Sequence, residues 1–150
     1  MKKITVILMA IFGILPMSGC GLWNALFPRK SYKEQVAERL GLNLENTTVL
    51  EEWDTHGGFH GDGEMFLKLS CADGFEECLK QQWKKMPLVD EAYSYYYIWG
   101  GLFEHPETGE KVIPEIANGY WYFENTGAMN WGFAAYDCEE NILYFYGFDA

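Results

Sequence analysis

Three short segments near the C-terminal end decide most of what this chain can fold into. Gly119 to Glu124, Trp131 to Asp137 and Ile142 to Phe148 are rich in aromatic residues, and the last two are separated by Cys138-Glu139-Glu140-Asn141. The pattern predicts three β-strands, the second and third joined as a hairpin. Trp121, Phe123, Trp131, Phe133, Tyr144, Phe145, Tyr146 and Phe148 fall on both faces of these strands, more aromatic surface than one core face needs. A sheet covered on both sides accounts for them. An exposed platform for a sugar or a protein partner would also do so, but side chains of this kind are more often inside.

Two further strands are expected upstream. Thr47 to Thr55 carries β-branched residues and Trp53, and Glu64 to Cys71 alternates Met65, Leu67, Leu69 and Cys71 onto one face. A glycine-rich connection makes them an antiparallel pair. Helices are expected at three places. Ser31 with Glu34 forms a capping box before Tyr32, Val36 and Leu40, and Gly41 supplies the stop. Asp73 with Glu76 is a second capping pair, opening a helix over Phe75 to Lys85 with Phe75, Leu79 and Trp83 on one stripe, ended by Met86-Pro87. Asp90 to Trp99 fits helix or strand, with helix favoured, and Gly100 to Ile116 reads as a loop. The expected fold is α+β: an antiparallel sheet of about five strands with two or three helices packed mainly on one face.

The first nineteen residues stand apart from this body. Lys2 and Lys3 precede the apolar run Ile4 to Leu15, and Ser18-Gly19 precede Cys20. A span of that length falls short of the roughly twenty residues a membrane helix needs. The pattern resembles a bacterial lipoprotein signal, which implies cleavage before Cys20 and acylation of its thiol and amine. Residues 1–19 are then the signal, 20–30 the lipidated cysteine and tether, and 31–150 a single domain. Two or more acyl chains, at roughly 0.8 kcal/mol per buried methylene, hold a protein on a membrane durably. The expected location is the extracytoplasmic face of the cell membrane, with the lipid anchor as the membrane contact.

Loss of the signal takes away two lysines and no acid and carries the net charge from −11 to −13. Such acidity speaks against nucleic acid as a partner and favours cationic partners or plain solubility. With Cys20 lipidated, Cys71, Cys78 and Cys138 remain, an odd number. Cys71 and Cys78 flank the turn Ala72-Asp73-Gly74, where export would permit a disulfide; equally, all three fit as small hydrophobes.

One segment exceeds what a core requires. Asp54-Thr55-His56-Gly57-Gly58-Phe59-His60-Gly61-Asp62-Gly63-Glu64 sets two histidines and three acids among four glycines. Three readings stay open. In the first, His56, His60 and Asp62 hold a divalent metal, the one cofactor these residue types point to. In the second, His56, Gly57, Gly58, His60, Asp62 and Glu64 bind a ligand, although the acids disfavour an anion. In the third, the loop is a hairpin connection with Asp62-Gly63 at its turn. Gly57-Gly58 prevents the helix that an HExxH metalloprotease site would need. No serine stands in a G-x-S-x-G elbow, and His105 lies in an acidic loop before Pro106. Glu51, Glu52, Asp54, Asp62, Glu64 and Glu124 offer many carboxylate pairs of the glycosidase kind, but the abundance of acids explains them by itself.

The string His56-Gly57-Gly58-Phe59-His60-Gly61-Asp62-Gly63, with Gly119 to Phe123, Asn130 to Asp137 and Leu143 to Tyr146, resembles a family of small bacterial lipoproteins, largely Gram-positive, over about Asp54 to Asp149. The resemblance implies a surface-anchored protein. It carries no settled activity, so it assigns no catalytic role to His56, His60 or Asp62. Three functions follow as expectations: a non-enzymatic binding domain for an unidentified protein or small ligand, a metal-dependent hydrolase built on the His56 to Glu64 loop, or an acidic inhibitor or immunity lipoprotein directed at a cationic toxin or lytic enzyme.

Overall fold

The computed structural model describes residues 30–56, 62–86, 103–127 and 130–149. The chain divides into two compact units after Ser31, and the described helix and strands all lie in the second, Tyr32–Ala150. The signal, Cys20 and its tether, and the helix expected over Asp90 to Trp99 lie outside the described residues.

Helix α1 (Tyr32–Leu40) opens the unit. It stops where Gly41 takes φ +64°. There the Leu42 N–H donates to the Ala37 carbonyl at 3.0 Å and the Gly41 N–H to the Glu38 carbonyl at 3.3 Å, so two of the carbonyls in the helix's last turn are satisfied. Strands β1 (Thr48–Asp54) and β2 (Gly63–Ser70) follow, then a single 3₁₀ turn (Phe75–Cys78), the two-residue β3 (Lys84–Lys85), and β4 (Gly119–Gly127), β5 (Asn130–Asp137) and β6 (Ile142–Asp149). The six strands form one sheet in the order β1-β2-β6-β5-β4-β3, with every pair antiparallel. The turn between β5 and β6 is held by Asp137, whose carboxylate accepts from the Glu139 and Glu140 N–H groups, and Asn141 takes a positive φ within it.

Alternation along the strands sorts two cores onto opposite faces. On one, Val36 and Leu40 of α1, with Leu44, Leu79 and Trp83, cover Met65, Leu67, Leu69, Ala134, Tyr136, Leu143 and Phe145. On the other, Ile113 and Ile116 join Phe66, Trp121, Trp131, Phe133, Ala135, Tyr144 and Tyr146. Phe103 packs edge-on against the Trp131 and Tyr146 rings. The surplus of aromatics is thus absorbed by a sheet covered on both sides.

The α+β expectation needs correction. Among the described residues there is one α-helix beside a six-stranded antiparallel sheet, so the fold is nearly all-β. The helix expected over Phe75 to Lys85 fails at both ends. Gly74 opens the segment at φ +82° with no side-chain cap, so the Asp73-Glu76 capping pair does not form. Beyond the 3₁₀ turn, Lys84 and Lys85 pair with Trp121 and Tyr120, and the Met86 N–H donates to the Gly119 carbonyl. Leu79 and Trp83 still reach the core their spacing predicts. Pairing with the open edge of β4 outweighed a helical stripe without a cap.

Candidate functional site

The site lies on β1 and on the polar chain at its C-terminal end. Asp54 ends the strand on the α1 side of the sheet, opposite Met65. The His56 N–H donates to Asp54 Oδ1 at 2.7 Å, and the His56 ring Nδ1 contacts the same oxygen. The other ring nitrogen, Nε2, is shielded from solvent and lies 3.3 Å from Asp149 Oδ2, without hydrogen-bond alignment. Burial pushes the Asp54 carboxyl upward in pKa. Hydrogen bonds from the His56 backbone and ring, the His56 charge and a hydrogen bond from Tyr32 together outweigh burial and hold it below its ordinary 3.8.

The chain of charges runs on across the sheet. Asp149 Oδ1 is 3.9 Å from Arg39 Nη1, and Arg39 Nε pairs with Glu124 Oε1. The Arg39 and Glu124 side chains are only 19% and 14% exposed, so their charges are largely withdrawn from water. Two glycines make room for them. Gly132 and Gly147 face each other across β5 and β6, and a methyl on Gly132 would sit 2.9 Å from Glu124 Oε1 and 3.2 Å from Arg39 Nε. A methyl on Gly147 would sit 3.2 Å from Arg39 Nη1. The guanidinium also lies over the Phe145 ring, 5.5 Å from its centroid. Four elements, α1, β1, β4 and β6, are thereby tied at one end of the sheet.

Gly63 fixes the return of the β1–β2 connection. A methyl there would come within 2.6 Å of the His56 backbone nitrogen, so only glycine fits at the hairpin's root. The Thr55 N–H donates to the Glu64 carbonyl at 2.8 Å, and the Glu64 N–H to Thr55 Oγ1, also at 2.8 Å. Among the residues named from sequence, His56 is drawn toward Asp54 and Asp149, Asp62 is exposed, and Glu64 lies on the opposite face of the sheet, beside Phe148 in register. Gly57, Gly58 and His60 lie outside the described residues. Among the described residues no group of three His, Cys, Asp or Glu side chains could hold a metal ion. Cys71, Cys78 and Cys138 are free thiols, with Cys71 buried and Cys78 exposed. Burial pushes the Cys71 thiol up to about 12 and the Cys138 thiol up to about 11, which favours the protonated form of both.

Strand β1 itself is bare. Residues 48–52 are all exposed, and Val49 and Leu50, 39% and 52% exposed, are the large hydrophobics left open among the described residues. The register slips between Val49 and Glu51, placing Leu50 at a bulge. Only Trp53 of this strand joins a core, packing on Phe66 and Tyr146. Beyond β1 no further strand pairs among the described residues. Since the Thr55 N–H points at β2, alternation directs the Glu51 and Trp53 groups inward as well and leaves those of Glu52 and Asp54 on the open edge.

No family model, curated protein or solved structure matches this chain.

Sequence reasoning found His56 and the acids beside it but missed Arg39, Glu124 as its partner, Asp149 and Tyr32. A signal for part of this was present. Gly132 stands between Trp131 and Phe133, and Gly147 between Tyr146 and Phe148. A glycine inside an aromatic strand marks a close approach by another group, here the guanidinium.

Proposed function

We propose that the chain is a lipid-anchored lipoprotein of the extracytoplasmic face whose folded domain binds another molecule and is not an enzyme. The anchor rests on Lys2-Lys3, the apolar run and Cys20. Among the described residues no helix is long and apolar enough to cross a membrane. The observation that carries the binding reading is β1, a strand hydrogen-bonded on one edge and exposed over five consecutive residues, Val49 and Leu50 included. A strand this bare contributes little to the core, so a partner is the simplest use for its apolar side chains.

At the root of the hairpin connection, His56 Nδ1 meets Asp54 while Nε2 lies against Asp149. The ring ties that root down. Site-specific photocrosslinking on intact cells tests the proposal, with the crosslinking residue at Leu50 or, as a control four strands away, at Thr126. A discrete adduct from position 50 and none from position 126 is expected. No adduct from position 50, or the same adducts from both, would remove the reading.

A further inference from the structure

We infer that β1 is completed by an extended, basic segment of a partner protein that adds to the sheet as a seventh strand beside it. The inference rests on the binding reading above and names the partner's chemistry. Its first support is the open ladder, because the N–H and C=O groups of Glu52 and Asp54 point away from β2 and offer two donors and two acceptors in strand geometry. The second is the side chains beside that ladder. Val49 and Leu50 supply apolar contact, and Glu51 and Glu52, both exposed, supply negative charge directly after them. A partner strand that alternates apolar and basic residues would meet both.

Charge decides between occupants. A second copy of this chain, paired edge to edge, would set Glu51 and Glu52 against the same acidic strand, and like charges facing each other across a ladder destabilise it. Lys68 stands across from Glu51 on β2, but its ammonium is drawn over the Tyr144 ring, 5.6 Å from the centroid, and the Lys33 ammonium is held by the Glu45 and Thr47 carbonyls. Glu51 is thereby left open to a partner. At seven residues β1 is long enough for a segment of roughly 20–24 Å. Glutamates and a bulge also serve to guard an edge against unwanted pairing, so the test must separate recognition from exclusion.

The full lipidated chain in detergent micelles is titrated against labelled ten-residue peptides and followed by fluorescence anisotropy. The probes are alternating valine and lysine, alternating valine and glutamate, and the valine–lysine peptide with its backbone nitrogens methylated. Strand addition predicts binding of the first, at least tenfold weaker binding of the other two, and a reversed preference for the valine–glutamate peptide in the Glu51→Lys, Glu52→Lys double variant. A melting temperature close to wild type certifies that this variant is folded. Equal binding of the methylated peptide would mean charge attraction without strand pairing and would overturn the inference, as would failure of all three peptides, the mark of a guarded edge. An adduct from position 50 on cells without peptide discrimination would keep the binding reading and remove strand addition. Discrimination among peptides without any adduct would support strand addition and count against the cell-surface binding reading.

Discussion

Strands β6 and β1 belong to one antiparallel sheet and are separated only by β2, yet their side chains have opposite fates. In β6, Leu143, Phe145 and Tyr146 are fully buried and Tyr144 nearly so, because the α1 side and the aromatic side each cover alternate residues. In β1 the same alternation faces water on both sides from Thr48 to Glu52. The two strands differ in pairing, β6 being hydrogen-bonded on both edges and β1 on one, and in the layers that cover their side chains. β6 derives its stability from burial, whereas β1 is carried by its ladder to β2, by Trp53, and by the Asp54–His56–Asp149 contacts at its end.

Substitutions should widen or erase this contrast. The largest effect is expected for Phe145→Ala, which removes a ring buried at the centre of the α1-side core, and denaturant unfolding should register a loss of about 3–5 kcal/mol. Gly132→Val comes next. Its side chain would collide with the Arg39–Glu124 pair, so a loss of about 1–3 kcal/mol in the same assay is expected.

The Asp54 contacts set a pH dependence with a definite sign. The folded carboxyl titrates below its unfolded value of 3.8, so it adds stability above that pH and loses it as pH falls through the lower folded value. The melting temperature of wild type should consequently fall more steeply below pH 4 than that of Asp54→Asn, which carries no such titration. Parallel curves would detach Asp54 from the stability of this end of β1. The smallest effect on folding is expected for Leu50→Thr, within about 0.5 kcal/mol of wild type, since the side chain is already half in water. The same variant should nonetheless lose the valine–lysine peptide, which separates recognition from stability at one residue.

Much of the sheet was legible in the sequence because period-2 alternation is a local signal. Met65, Leu67 and Leu69 and the aromatic runs at the C-terminal end stand in strands where that alternation puts them. The helical stripe Phe75, Leu79, Trp83 misled because burial on one face is compatible with irregular turns, and the pairing of Lys84 and Lys85 with β4 is a tertiary event that no local pattern announces. The site divides the same way. His56 drew attention through its composition, but Arg39, Asp149 and Glu124 are far apart in sequence and meet only through the topology. Exposure of Val49 and Leu50 was equally hidden, since nothing in a strand's own sequence says whether a layer will cover it.

The comparison can be tested most directly by residue-resolved amide hydrogen exchange, with and without saturating valine–lysine peptide. In the free protein, β6 amides should exchange only on global unfolding, Trp53 and Thr55 should be protected by β2, and Glu52 and Asp54 should exchange fast; peptide should then slow Glu52 and Asp54 selectively. Protection of Glu52 and Asp54 in the free protein, or fast exchange that persists in the saturated complex, would contradict the account of β1 as an open strand awaiting a partner.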